Sequence, residues 1–374
     1  MTIVFISNYL NIHQKPFADH MYSLLGEGWT FIETGTINET RKKLGWTYEA
    51  APYVKRTYTS EKEREECQRI IDSADVAILG AGPYELIKKR VKSGKMVFRY
   101  CERPLKKVMQ IHKYLPRLLL WQKCYPFWKP IYMLCASAYT ASDFKKFGVF
   151  IGKAYKWGYF PEVKQYPDID ALIDAKQKNS LLWVARLIDW KHPEVPIEIA
   201  KRLKADGYDF SLNIIGNGVL EDSLKSKICD NDLESQVHML GGMSPEKVRE
   251  CMEKSEIFLF TSDRKEGWGA VMNESMNSGC AAVGSNAIGS VPFLIKDGEN
   301  GLIYKDGDLD DLYSKVKWML DHPEERKNYG KQAYKTMTEV WAPEVAAKRL
   351  LALIEQLQKS KKSALFEDGP CSQA

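Results

Sequence analysis

The segment Thr261-Ser-Asp-Arg-Lys-Glu-Gly-Trp-Gly-Ala-Val-Met-Asn-Glu-Ser-Met carries the densest chemistry in the chain. Within it Glu266 and Glu274 stand eight positions apart, with Gly267-Trp268-Gly269 between them. A carboxylate on a loop and a second on the helix behind it can grip hydroxyls at two ends of one polar ligand. The glycine pair lets backbone N–H groups approach that ligand closely, and a helix start favours anionic oxygen. Upstream, Arg186 and Lys191 follow a short apolar run and offer a planar bidentate cation and a compact ammonium. Gly216-Asn217-Gly218 makes a tight turn after another such run, without the third glycine of a dinucleotide fingerprint. Taken singly, these residues also fit solvated helix-face glutamates, surface cations and an ordinary turn.

Such residues need strands that end in loops and helices that start behind them. In the second half, strand-like runs fall at 181–185, 210–215, 236–240, 257–261, 281–284 and 301–304. Amphipathic stretches at 193–204, 219–228, 245–254 and 270–278 lie between them, with Ser244 and Pro245 as cap and first helical residue of the third. This alternation predicts a parallel sheet with helices on both faces, and ligands then sit at the carboxyl ends of its strands. The first half alternates less regularly, with strands expected at 3–7, 76–80 and 96–100 and helices at 16–25 and 84–92. A polar, proline-bounded stretch at 159–167 reads as a linker.

In this strand–loop–helix setting the sequence resembles the family-4 retaining glycosyltransferases of the GT-B fold. Their hallmark Glu-x7-Glu is matched by Glu266 and Glu274, and the flanking Gly-Trp-Gly and Glu-Ser-Met-Asn-Ser-Gly are also in place. Bacterial members that build capsular or exopolysaccharide repeat units are similar through Asn8, His13-Gln14, Pro16-Phe17 and the stretches at 136–143 and 156–161. The resemblance implies an α/β protein of two Rossmann-like, doubly wound domains facing a central cleft. It implies an acceptor domain at 1–166, a donor domain at 167–342, and a helix at 343–358 that returns to the first domain before a loose tail at 359–374.

The implied reaction moves a sugar from a nucleotide diphosphate sugar to a hydroxyl of a glycan or polyprenyl-diphosphate-linked acceptor, with retention. Glu266 would contact the donor sugar and Glu274 the ribose hydroxyls. Backbone around Gly267, Trp268 and Gly269 would meet sugar and diphosphate, and Gly216 and Gly218 would line the nucleotide pocket. Arg186 and Lys191 would stabilise the departing diphosphate, whose charge grows in the transition state. With two cations there and no His/Asp cluster in the sequence, no metal and no cofactor is expected. Front-face attack and a covalent intermediate both stay open. Phe293 stands where many members carry another Glu. On the acceptor side the candidates are His13, Glu102 and Arg103, with a loop hydrogen bond and a surface ion pair as the plainer alternatives.

At 374 residues with 44% apolar and 28% charged, the chain has room for two ordinary α/β cores and excludes fibrous and low-complexity classes. The net charge is unevenly spread: 27 Lys+Arg less 15 Asp+Glu gives +12 for 1–166, and 27 less 34 gives −7 for 167–374. Between Arg103 and Cys135 lie seven Lys+Arg, no acid, and Leu118-Leu-Leu-Trp121, Tyr125, Phe127-Trp128 and Tyr132. Contact with an anionic membrane surface is the favoured reading; solvated charges over core residues is the alternative, and nucleic acid is not expected. The N-terminus lacks the pattern of a signal peptide, and the eight cysteines form no Cys-x-x-Cys pair, so a cytoplasmic site, peripheral on the plasma membrane, is expected. Two other classes fit parts of the pattern. A non-catalytic sugar-nucleotide or lipid-binding module would bind without turnover, and a Rossmann-type NAD(P) enzyme would need the missing third glycine.

Overall fold

Strand β1 (Ile3–Ser7) is five consecutive buried residues, as a parallel strand covered on both faces requires. The computed structural model describes residues 1–37, 51–107, 111–359 and 365–374. It divides into one unit of Met1–Glu162 with Trp341–Ala374 and another of Val163–Val340.

In the first unit β1 is followed by α1 (Lys15–Leu25), β2 (Trp29–Glu33), β3 (Val54–Arg56), α2 (Glu61–Ser73), β4 (Val76–Leu79) and α3 (Lys88–Ser93). Then come β5 (Met96–Cys101), α4 (Tyr114–Cys124), β6 (Ile131–Cys135), α5 (Thr140–Lys145) and β7 (Ala154–Lys156). Among the described residues the sheet has seven parallel strands in the order β3-β2-β1-β4-β5-β6-β7. Four of these strands, β2, β3, β6 and β7, are absent from the sequence expectation.

The second unit runs α6 (Ile169–Asp174), β8 (Gln177–Val184), α7 (Glu194–Ala205), β9 (Ser211–Ile215), α8 (Glu221–Cys229), β10 (Val237–Gly241) and α9 (Pro245–Lys254). It continues with β11 (Ser255–Phe260), α10 (Val271–Asn277), β12 (Ala281–Ser285), α11 (Val291–Leu294), β13 (Gly301–Tyr304), α12 (Leu309–Asp321) and α13 (Pro323–Lys335). Six strands pair in parallel as β10-β9-β8-β11-β12-β13. Each sheet thus reverses strand order beside its first strand, the doubly wound arrangement whose crevice opens at that reversal. Side-chain caps fix several helix starts: Ser60 on α2, Asp168 on α6, Ser244 on α9 and Asp308 on α12.

The last helix, α14 (Pro343–Gln358), packs on α1 and belongs to the first unit. Of the loose tail expected at 359–374, residues 360–364 lie outside the described residues, and 371–374 depart from the expectation. Lys156 N–H donates to Ser372 O and Cys371 N–H to Lys156 O, both at 2.8 Å, and Ala374 N–H donates to Ala154 O at 3.0 Å. Residues 371–374 thus satisfy the open edge of β7, and Cys371 and Ser372 are buried. Polar composition hid this, because an edge pairing needs backbone groups rather than apolar side chains.

Arg90 holds the start of the first sheet. Its buried guanidinium donates to the carbonyls of Ile71 and Ala74 at 2.7 Å and of Asp75 and Met96 at 3.1 Å. It caps the C-terminus of α2 and ties it to the entries of β4 and β5. Arg90→Met leaves four carbonyls short of a donor, so a loss of about 3 kcal/mol is expected, read from urea unfolding of the first unit's transition.

Candidate active site

The reversal in the second sheet lies between β8 and β11, and the loops leaving these two strands hold Arg186, Lys191 and Glu266. Sheet order therefore brings together residues 75 positions apart in sequence. The Lys191 ammonium contacts the Glu266 carboxylate directly, and Ser262 Oγ donates to the same Oε2 at 3.2 Å. Both side chains of the pair are only 11% exposed.

The two loops are stitched to each other by backbone and hydroxyl groups. Thr261 Oγ1 accepts from Trp183 Nε1 at 2.8 Å and donates to the carbonyls of Lys191 and His192, at 2.9 and 3.1 Å. Asp263 N–H donates to Trp190 O at 3.0 Å. His192 takes a left-handed backbone, φ 52°, and its ring reaches Glu194 at 3.0 Å and Asp263 at 3.9 Å. The hydrogen bond to Glu194 raises the His192 pKa, with further help from Asp263 and Asp306 against partial burial.

Sequence reasoning passed over Trp190. Its ring lies under both cations, 4.4 Å from Lys191 Nζ and 5.8 Å from the Arg186 guanidinium, so it steers the two charges together. Its position between the two named cations was the available signal.

The glycines have specific backbone jobs. Gly216 has φ 147°, and a Cβ there would overlap Ala185 O; one on Gly218 would overlap Leu187 O. Leu187 N–H donates to Asn217 O and Leu220 N–H to Leu187 O, at 3.0 and 3.2 Å. The Gly-x-Gly turn thus lies against the backbone that carries Arg186. Gly269, at φ 81°, leaves room for the Phe260 ring. Trp268 is expected to meet a ligand through its backbone, and its side chain has a separate use. Its side chain is fully buried, Nε1 donates to Asn273 Oδ1 at 2.9 Å, and the ring lies 6.3 Å from Phe293. The indole anchors the loop to the core, which leaves the backbone of Gly267, Trp268 and Gly269 as the part expected to meet a ligand.

Glu274 is in the first turn of α10. Arg249 Nη1, from α9, bonds the Glu274 carbonyl at 3.1 Å, Asn277 Oδ1 at 2.9 Å and Ser278 Oγ at 3.2 Å. Burial pushes the Glu274 carboxyl up to about 6, against the opposing pull of Arg249. An acid with a raised native pKa favours folding below about 4.5 and loses that contribution as pH rises to about 6. The ionised carboxylate is the stronger acceptor toward ligand hydroxyls, so ligand binding should follow the opposite trend. The dissociation constant of a nucleotide diphosphate sugar is expected to rise about tenfold per unit as pH falls below about 6. Calorimetric titration of wild type and Glu274→Gln checks this, and the variant should show a flat profile there.

In the first unit, His13 and Glu102 lie on loops leaving β1 and β5 and meet through Tyr159. The Tyr159 ring stacks on His13 with centroids 6.1 Å apart, and its hydroxyl donates to Glu102 Oε1 at 2.7 Å. Burial lowers the His13 pKa to about 4, which keeps the ring neutral. Arg103 does not join them. Its Nε donates to Asp143 Oδ2 at 3.3 Å inside the unit and its guanidinium stacks on Tyr139 at 4.5 Å, while Glu102 pairs with Lys106. The expected acceptor-side role of Arg103 gives way to a buried ion pair, because α5 presents an acid that sequence spacing did not reveal. Among the described residues no three His, Cys, Asp or Glu converge to hold a metal ion. No described helix is long and apolar enough to cross a membrane.

The fold and the paired loops define a doubly wound α/β protein with a charged site at a strand-order reversal, and known proteins resemble it in both sequence and structure. Residues 168–336 match the model of the glycosyl transferases group 1. The amylovoran biosynthesis glycosyltransferase AmsK of Erwinia amylovora is 35% identical over 141 residues, 36% of this chain and 34% of that protein. The N-acetylgalactosamine-N,N'-diacetylbacillosaminyl-diphospho-undecaprenol 4-alpha-N-acetylgalactosaminyltransferase of Campylobacter jejuni is 34% identical over 165 residues, 44% and 43% of the two chains. The chain therefore spans less than half the length of these curated relatives. The crystal structure of Anabaena Alr3699/HepE in complex with UDP matches 96% of this chain and 100% of its own, with a TM-score of 0.69 at 15% identity. That likeness extends over both units and establishes the two-domain GT-B fold.

Proposed function

We propose that the protein transfers a sugar from a nucleotide diphosphate sugar to an acceptor hydroxyl with retention of anomeric configuration. The observation that carries the reading is the contact of Lys191 with Glu266 at the β8/β11 reversal, beside Arg186 and ahead of Glu274. In the reaction the bond from anomeric carbon to diphosphate oxygen breaks, a bond to the acceptor oxygen forms, and the acceptor proton is passed on as the diphosphate leaves. Arg186 and Lys191 take up the growing negative charge on that leaving group. An incoming diphosphate competes with Glu266 for the Lys191 ammonium, which frees the carboxylate to accept from sugar hydroxyls. Glu274 accepts from the ribose, and Gly216 and Gly218 hold the Arg186 loop in place while the Gly267–Gly269 backbone faces the sugar. His13 and Glu102 are the proposed acceptor-side groups.

The names of the relatives support an acceptor in polysaccharide assembly: one serves amylovoran biosynthesis and another acts on a diphospho-undecaprenol-linked glycan. We assign the same acceptor class here, a glycan or polyprenyl-diphosphate-linked glycan, and a cytoplasmic setting that suits the eight free thiols. Two cations at the leaving group make a divalent ion unnecessary in this reading. The test is nucleotide release from a panel of uridine, guanosine and thymidine diphosphate sugars with a lipid-linked acceptor, with and without EDTA. Turnover that survives EDTA and gives a product of unchanged anomeric configuration by NMR supports the proposal. Binding of a donor with no release in any combination would reduce the protein to a binding module.

A further inference from the structure

Helix α4 and the loop behind it have one side that the core uses and one that it does not. On the inner side Trp121 lies 4.6 Å from Phe144 and 4.5 Å from Phe147, and Tyr125 lies 4.9 Å from Phe150. On the outer side Leu115, Leu119, Leu120 and Phe127 are more than half exposed, and Trp128 is 79% exposed. Leu115 and Leu119 are one helical turn apart, and Leu120 flanks them. Lys153 Nζ donates to the carbonyls of Phe127 and Lys129, which ties the residues before β7 to this loop. Soluble surfaces scatter such side chains singly, so five within 115–128 mark a contact site.

The charge of this segment is basic throughout, with Glu85 near Cys124 as an acid that a neighbouring element brings to the end of α4. Lys113, Arg117, Lys123 and Lys129 interleave with the apolar residues, and no acid occurs between Arg103 and Cys135. Lys145 and Lys146 follow on α5 and just after it, where Tyr114 Oη donates to Lys146 O at 2.5 Å. The acid there, Asp143, is buried and paired with Arg103 and, at 3.5 Å, with Lys146. Three exposed leucines beside Phe127 and Trp128 favour an apolar interface over a nucleic-acid strand, whose bases stack on aromatic faces rather than on aliphatic side chains. Leucines, an indole and a phenyl ring ringed by lysines match the headgroup–acyl boundary of an anionic bilayer.

We propose that this surface docks on an anionic phospholipid bilayer, with Leu115, Leu119, Leu120, Phe127 and Trp128 entering the interface and Lys113, Lys123 and Lys129 facing lipid phosphates. The core side chains of the same segment take no part. This sharpens the choice that the composition left open between core and surface, and it stands apart from the reading of the sugar-transfer site.

The test is flotation of the full chain with vesicles of phosphatidylcholine alone or of equal parts phosphatidylcholine and phosphatidylglycerol. Wild type is expected to float only with the anionic vesicles, and less so as salt rises. Lys113→Gln with Lys123→Gln and Lys129→Gln should weaken partitioning about a hundredfold. Leu119→Ser with Trp128→Ser should weaken it at least about tenfold. Both sets are on the surface, so melting temperature and donor binding should stay at wild-type values. Independently of any variant, brominated lipid should quench wild-type tryptophan fluorescence. No flotation of wild type, or flotation unchanged in either set, overturns the proposal. So does a concentration-dependent dimer that the leucine and tryptophan changes abolish without any vesicle binding.

Discussion

Lys191→Ala is expected to lower kcat for sugar transfer about a thousandfold, the loss seen when one preorganised group at a developing charge is removed. The ammonium is nearly buried, it is steered by Trp190, and it reaches the reversal point from the loop after β8. Water cannot replace a fixed charge there, since it would have to reorganise as the diphosphate departs. The single variant also leaves the Glu266 carboxylate without its cation, which costs stability as well as rate. Lys191→Ala combined with Glu266→Gln separates the two effects. The double variant should regain much of the lost melting temperature and none of the lost turnover. A single variant within about tenfold of wild-type kcat would remove Lys191 from the leaving group.

Gly216→Ala is expected to be the most damaging glycine change in the second unit. Its φ of 147° is strained for any side chain, and the new methyl would sit on the Ala185 carbonyl, which is backbone and has no rotamer to escape into. A loss of at least about 4 kcal/mol follows, together with displacement of the Arg186 loop and loss of nucleotide binding. Gly298 provides the control. Its φ of 78° is equally left-handed, but nothing lies within 4 Å of the added Cβ, so Gly298→Ala should cost only about 1 kcal/mol. Chemical denaturation and calorimetric titration with UDP measure both. Equal costs for the two variants would mean that backbone conformation alone, and not the approach of Ala185, requires glycine at 216.

The second unit was readable in the sequence because its strands are long apolar runs set off by amphipathic helices. The expected strand at 301–304 and helix at 245–254 match the structure residue for residue. Pairing of Lys191 with Glu266 was not readable, since it depends on β8 and β11 being neighbours across the reversal. Trp190 and Thr261 were missed for the same reason: one works through cations on its own loop, the other through carbonyls of a different loop. In the first unit, β6 was hidden inside the basic aromatic segment, whose charges masked five residues that run into the sheet. Strands β3 and β7 have three residues each, too few for any periodicity to register. Arg103 was misread because its partner Asp143 lies 40 positions away on another element.

The chain passes between its units twice, at Glu162–Val163 and at Val340–Trp341. During synthesis the two units therefore finish in the reverse of the order in which they begin. The second has every one of its residues once Val340 is made, and can close as an uninterrupted piece. The first must wait, with the face of α1 that α14 will cover and the edge of β7 both open, until residues 341–374 arrive. The nascent chain thus holds a finished second unit while the first is unfinished, and chaperone dependence should fall on the part translated first.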